Sequence, residues 1–288
     1  MNIERILFPV DFSEQSGSAA SFVKAMANRF QAEVVMLNVL ELPEVWYGAG
    51  EGVGFVPPFD VDQMRDEAEQ KLEGYLAVDF AGTKIRRILA EGDAARQIVC
   101  HAKSFKAGMI MMPTHGYGPY RSLLLGSVTA KVLHDADCPV WTGVHTPEFT
   151  SHFPQNFDRI LCAIDRDRKD VPVVRWATEF GASVGAQVRL IHVMPGDPDI
   201  HEFTDRVYRE QLFQGAGEAI ERLQGEAGTN LDVLLRLGKP AQVIHNDACA
   251  EETNLVIVGR GVIQKTLGKL RSTAYAIIRQ SPCPVISV

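Results

Sequence analysis

The chain has 288 residues, of which 46% are hydrophobic and 23% charged, and it carries a formal charge of -7 at neutral pH. Those proportions are ordinary for a folded globular protein and exclude wholesale disorder, collagen-like repeats and a small disulfide-stapled domain. The acidic balance, with no Lys/Arg cluster interleaved with aromatics, sets nucleic acid aside as a partner, and no apolar run reaches the roughly 18–20 residues a membrane span needs.

Taken in chain order, Ile6–Val10 reads as a buried strand closed by Pro9, Val10 and then Asp11. Ala19, Phe22, Val23, Met26, Ala27 and Phe30 follow at helical spacing, and Asp11 or Ser13 caps that helix. Val34–Val39 is the next strand. A second helix places Val61, Met64, Ala68, Leu72, Tyr75 and Leu76 on one face. Strand Ile85–Leu89, helix Ala95–Phe105, strand Met109–Met112, a glycine-bearing loop, helix Ser127–His134 and strand Val140–Val144 complete the series. Strands separated by helices make a parallel sheet covered on both faces, with a ligand crevice at the carboxyl ends of the strands.

The chain is then written a second time. ILFPVD at 6–11 matches ILCAID at 160–165, an offset of 154, and Val39 matches Val193. EGDAARQIV at 91–99 matches LGKPAQVIH at 237–245, an offset of 146, and Cys138-Pro139-Val140 matches Cys283-Pro284-Val285, an offset of 145. The predicted fold is therefore α/β: two tandem doubly wound, five-stranded parallel sheets of Rossmann-like type, at 1–144 and 159–288. The polar segment 145–158 between them reads as a linker.

The loops after the first and fourth strands of such a sheet meet at the point where the winding reverses. In the first copy they carry Asp11 and PTHGYGPYRSLLLGSV, residues 113–128. Gly116 and Gly118 allow positive φ, and Gly126-Ser127 opens a helix whose N-terminus attracts anions. An aspartate at a strand end also commonly caps a helix, and a loop glycine commonly makes a turn, so these residues alone admit both readings.

PVDFSE near the start, MPTHGYGPYRSLLLGSV and the closing DCPV together resemble the universal stress protein family, over nearly the whole chain and as two copies. The resemblance implies strand order 3-2-1-4-5 and antiparallel pairing of the last strands, Val140–Val144 with Val285–Val288, as an internal pseudo-dimer. ATP-binding members carry Gly-x-x-Gly, nine residues, then Gly-Ser. Here Gly126-Ser127 and Gly116 fill that pattern, while Pro113 replaces the first glycine and has no N–H to offer. The resemblance carries Pro9, Val10, Asp11, Val39, Pro113, Gly116, Gly126, Ser127 and Val128 to an adenine-nucleotide site, with Asp11 near the ribose and magnesium held by phosphate oxygens. In the second copy Gly259 fills the first glycine position, but Val262 and Arg271 replace the others. That copy reads as degenerate and structural, with an anion site at Lys265, Lys269 and Arg271 as the sharper alternative.

The function implied is an ATP-binding stress or signalling module. Its alternatives are a slow ATPase and a scaffold without nucleotide. An adenylating enzyme of similar fold is disfavoured because Asp11-Phe12-Ser13-Glu14-Gln15-Ser16 has no glycine pair. No residue is assigned a catalytic or metal-ligating role. GAGEGVGFVPP at 48–58 leads into two prolines rather than a helix, so it reads as a flap, with Trp46, Tyr47 and Phe55 as covers. The five cysteines form no C-x-x-C pair and the N-terminus lacks a signal-peptide order, which points to free thiols and a cytoplasmic location.

Overall fold

A computed structural model describes residues 1–41, 60–115, 125–144, 157–196, 203–260 and 272–288. The first half runs β1 (Arg5–Pro9), α1 (Glu14–Phe30), β2 (Glu33–Leu40), α2 (Val61–Gly74), β3 (Ile85–Glu91), α3 (Ala94–Ser104), β4 (Met109–Met112), α4 (Ser127–Asp135), β5 (Val140–Thr142). The second runs β6 (Arg159–Ala163), α5 (Val171–Val184), β7 (Gln187–Met194), α6 (Phe203–Ala227), β8 (Asp232–Leu237), α7 (Pro240–Ala250), β9 (Leu255–Val258), α8 (Ser272–Gln280), β10 (Val285–Ser287).

The two five-stranded sheets join edge to edge, as the expected pairing of their last strands requires. They form one ten-stranded sheet, β3-β2-β1-β4-β5-β10-β9-β6-β7-β8, in which each half keeps the order 3-2-1-4-5. Every pairing inside a half is parallel, and β5 joins β10 antiparallel, Trp141 facing Ile286. The last strands would otherwise expose unpaired N–H and C=O groups along an apolar edge, and pairing them removes that liability.

Alternation along the strands sends side chains to two core layers, each continuous across both halves. Phe8, Met36, Met111, Trp141, Phe180 and Ile257 share one layer; Leu7, Leu37, Ile110, Val140, Leu161 and Val256 share the other. In α1 the apolar stripe expected from spacing is buried apart from Phe30, which is partly buried and stacks on Phe180 at 6.2 Å. α2 differs from its expected extent. It ends at Gly74; Tyr75 leaves in an extended conformation, Leu76 is left-handed at φ 51°, and only Leu72 within the helix is fully buried. Phe157, placed in the linker by its sequence context, is buried and meets Phe180 edge-on at 6.1 Å, and the Asp158 N–H donates to Asn254 at 2.8 Å. Residues 145–156 and the expected flap at 48–58 lie outside the described residues.

The duplication extends to backbone conformation. Phe12 and Arg166 are both left-handed, at φ 62° and 64°; Lys106 and Glu252 stand at 50° and 49°; Gln31 and Gly185 at 54° and 79°. Each non-glycine at such a φ costs about 1–2 kcal/mol, so the turn geometry is imposed by its surroundings.

Side chains brace the junction of the halves. Arg260 donates to the carbonyls of Ala136 at 2.5 Å and Cys138 at 2.7 Å, at the C-terminus of α4, where a cation also meets the helix dipole. Tyr275 donates to Ala130 at 3.0 Å, and Arg29 donates to Ser183 at the end of α5 at 2.6 Å. Arg260→Ala leaves those α4 carbonyls without their charged donor and should lower stability by about 2–3 kcal/mol, read as an earlier urea midpoint with secondary structure retained.

Candidate functional site

β1 and β4 are neighbours in the sheet, so the chain segments leaving their carboxyl ends emerge side by side. Pro9 and Val10 are buried there, and the Val10 N–H donates to Leu37 on β2 at 2.8 Å. Asp11 is exposed. Its Oδ1 accepts from the hydroxyls of Ser13 at 2.5 Å and Ser16 at 2.6 Å and from the Ser13 N–H at 3.0 Å. Ser13, not Asp11, caps α1, accepting from the Ser16 N–H. Asp11 therefore orients the cap from behind. The reversal that permits this is the left-handed Phe12, whose ring lies edge-on to Tyr75 at 5.1 Å with the Lys71 ammonium 4.5 Å above it.

Asn38 has no place in an apolar strand by pattern, yet it is buried and donates to the Val10 carbonyl at 2.8 Å. Its counterpart His192 meets the Ile164 carbonyl at 2.9 Å through Nδ1. A polar residue at the same place in both copies was the signal available in the sequence for this clamp. Val39, one residue on, is half-buried and packs into the same layer as Val128 and Leu125.

After β4 both ends of the loop are tied down. The Gly126 N–H donates to the Thr114 carbonyl at 2.9 Å, and the buried Thr129 hydroxyl donates to the Pro113 carbonyl at 3.2 Å. Pro113 thus has a structural use for the carbonyl it retains. Gly126 is the N-cap of α4, with no side-chain cap bond, and Ser127 beside it is exposed. Its φ is -58°, so glycine is not required there for a left-handed turn. Glycine there eases a close approach: a Cβ would stand 3.2 Å from both the His115 Cα and the Thr114 carbonyl oxygen, which would have to give by a few tenths of an ångström. Gly116 and Gly118 lie outside the described residues.

The second half shows the same geometry as a shallow, open crevice of about 50 Å3. Ala163, Ile164, Asp165, Val193, Gly259 and Thr273 line it, the counterparts of Pro9, Val10, Asp11, Val39, Pro113 and Val128. Its charge differs. Asp170 stands where the first half has Ser16, its Oδ2 accepting from the N–H groups of Asp165 at 2.8 Å and Asp167 at 3.1 Å. Val262, Lys265, Lys269 and Arg271 lie outside the described residues. Among those described, no group of three or more His, Cys, Asp or Glu side chains is placed to hold a metal ion, and no helix is long and apolar enough to cross a membrane.

The model of the universal stress protein family matches residues 2–142 and again 156–288. The chain belongs to the universal stress protein family. It is 25% identical over 292 residues to a universal stress protein of Mycolicibacterium smegmatis, covering 98% of this chain and 96% of that protein. A shorter universal stress protein of Bacillus subtilis is 29% identical over 143 residues, which is 47% of this chain and 95% of its own length. Among solved structures, a universal stress protein from Archaeoglobus fulgidus is 24% identical, with a TM-score of 0.66, covering 98% of this chain and 95% of that one, and it shares the fold.

Burial raises the Asp170 pKa above its ordinary value, against the lowering effect of the two N–H groups it accepts from. Between the unfolded aspartate value, about 3.9, and the raised folded value, the native state retains a proton that the unfolded chain has released. Stability from this group therefore falls as pH rises through that window. Asp170→Asn keeps an acceptor oxygen, and urea unfolding across acidic pH should show a flatter stability profile than the wild type.

Proposed function

We propose that this protein is an adenine-nucleotide-binding stress or signalling module in which the first half takes one ATP. The observation that carries the reading is the start of α4. Gly126 is closely packed against the Thr114–His115 backbone and brings no capping side chain, so the first-turn amides of the helix have no acceptor from their N-cap residue, a cradle suited to phosphate. Gly116, in the loop between Pro113 and Gly126, belongs to the same cradle through the family resemblance.

Ser127 is exposed at the helix start and offers its hydroxyl to the phosphates, and Val128 and Val39 supply an apolar wall for the base. Asp11, its Oδ1 fixed by two serine hydroxyls, faces the ribose. A magnesium ion arrives with the nucleotide, since phosphate oxygens are its preferred ligands. In the second half Asp165 and Asp170 both line the crevice, and paired carboxylates repel a polyphosphate where Asp11 and Ser16 present one charge. The two halves sit in the sequence at 1–144 and 159–288, joined through 145–158, and the module works in the cytoplasm.

Calorimetric titration with ATP and magnesium should give one nucleotide per chain. Gly126→Arg should weaken binding by more than about tenfold, or about 1.4 kcal/mol, with the circular dichroism spectrum unchanged. A stoichiometry of two, or no heat at millimolar ATP, overturns the reading, and the second result leaves the scaffold alternative.

A further inference from the structure

The duplicated halves act as controls for one another, and one place differs in kind rather than degree. At the amino-terminal ends of β6 and β7, beneath the end of α7, lies a cavity of about 240 Å3. Its correspondence to the first half is fixed by a shared bond. Arg5 donates to the Phe105 carbonyl at 2.9 Å, and Arg159 donates to the Glu251 carbonyl at 2.8 Å. In the first half Val35 is fully buried and Phe105 packs into the same layer, under the Arg86 guanidinium, while the cations there are matched by the buried Glu33, which pairs with Arg5 at 3.4 Å and Arg86 at 3.0 Å. In the second half Arg189 stands for Val35 and Glu251 for Phe105.

The second half thus replaces Val35 and Phe105 with Arg189 and Glu251 and replaces Glu33, the carboxylate that pairs with Arg5, with the neutral Gln187. Arg189 Nη1 meets Glu251 Oε2 at 2.6 Å, with the two side chains 30% and 39% exposed. Its Nε is buried and meets no acceptor among the described residues. A buried donor without a partner costs roughly 1–3 kcal/mol, so the ion pair alone does not account for a guanidinium here. Arg159, the second cation on the lining, has for a carboxylate partner Glu252, which is 84% exposed and contributes little. Leu161 and Leu234 supply an apolar floor, and Gln187 and Thr253 add neutral polar groups.

We propose that this cavity is a binding site for a small organic carboxylate with a short apolar body. The Nε side of a guanidinium is the edge that grips a carboxylate with two parallel N–H groups. A modest rotation of the part-exposed Arg189 side chain turns that edge to the ligand while Nη1 keeps Glu251. The apolar body rests on Leu161 and Leu234. A volume near 240 Å3 lies below the range of about 300–1,000 Å3 typical of larger ligands. It therefore suits an acid the size of benzoate, not a nucleotide. The site lies at the opposite ends of the strands from the crevices of the nucleotide reading and does not depend on that reading.

The probe is 4-fluorobenzoate with the full chain, followed by fluorine NMR line width and by thermal unfolding. Broadening and a raised melting temperature are expected, saturating at millimolar probe or below. The double variant Arg189→Val with Glu251→Phe, which restores the first half's pair, should abolish both effects with its circular dichroism unchanged. Glu251→Gln removes a carboxylate that repels the ligand's own and should tighten binding several-fold. Inorganic phosphate should bind at least about tenfold more weakly, a difference of about 1.4 kcal/mol, because it makes no use of the apolar floor. Absence of broadening in the wild type, equal broadening in the double variant, weaker binding by Glu251→Gln, or equal affinity for phosphate each overturns the proposal.

Discussion

The antiparallel contact of β5 with β10 is the interaction on which the rest of the architecture depends. It spans only three residue pairs, yet it converts two sheet edges into the centre of a ten-stranded sheet. Trp141 and Ile286, which face each other across it, are almost wholly withdrawn from water. The polarity of the strands reverses at this one line, and side chains bond across it to helix carbonyls of the other half. Arg260 bonds the Ala136 and Cys138 carbonyls at and just past the end of α4, Tyr275 bonds the Ala130 carbonyl within it, and Arg29 bonds Ser183 at the end of α5. The continuity of both core layers follows, since each strand contributes alternate side chains to both faces.

At the carboxyl ends of the strands, sterics more than charge arranges the candidate site. Phe12 is driven into the left-handed region so that Asp11 can turn back onto Ser13 and Ser16, and Arg166 takes the same conformation in the duplicate. Gly126 is small because the Thr114–His115 backbone lies against it, which also fixes where α4 begins. The halves then diverge in electrostatics upon this common backbone: two hydroxyls around one carboxylate in the first, a second carboxylate at the same position in the second.

The alternation of β-branched runs with helical stripes and the near-constant offset between repeats made the fold and its doubling legible before any coordinates. Those signals report burial, and burial is what a repeating pattern encodes. Elements fixed by single long-range contacts were not legible. The end of α2 is set by Tyr75 folding over Phe12 and donating to the Ser13 carbonyl at 3.2 Å, which no local period announces. Arg260 reads as one more polar loop residue until the α4 carbonyls are placed beside it. Gly126 was legible as the glycine that opens α4 toward an anion, but the neighbour that crowds it, the Thr114–His115 backbone, was not. Asn38 and His192 could have been found by asking which polar residues recur at the repeat offset inside apolar strands.

The union of the halves in one chain has a further consequence for how the molecule can change. In an assembly of two identical chains, every substitution is made twice and symmetry forces each interface and cavity to alter in duplicate. Here a substitution is made once. Val35 can remain a core residue while Arg189 becomes a charged one, and Ser16 can remain a hydroxyl while Asp170 becomes a carboxylate, on the same left-handed turn and the same strand register. Association of the halves is also independent of dilution, because the covalent connection holds their mutual concentration constant. One half can therefore accumulate costly polar groups while its neighbour, bonded along β5, continues to hold the shared sheet together.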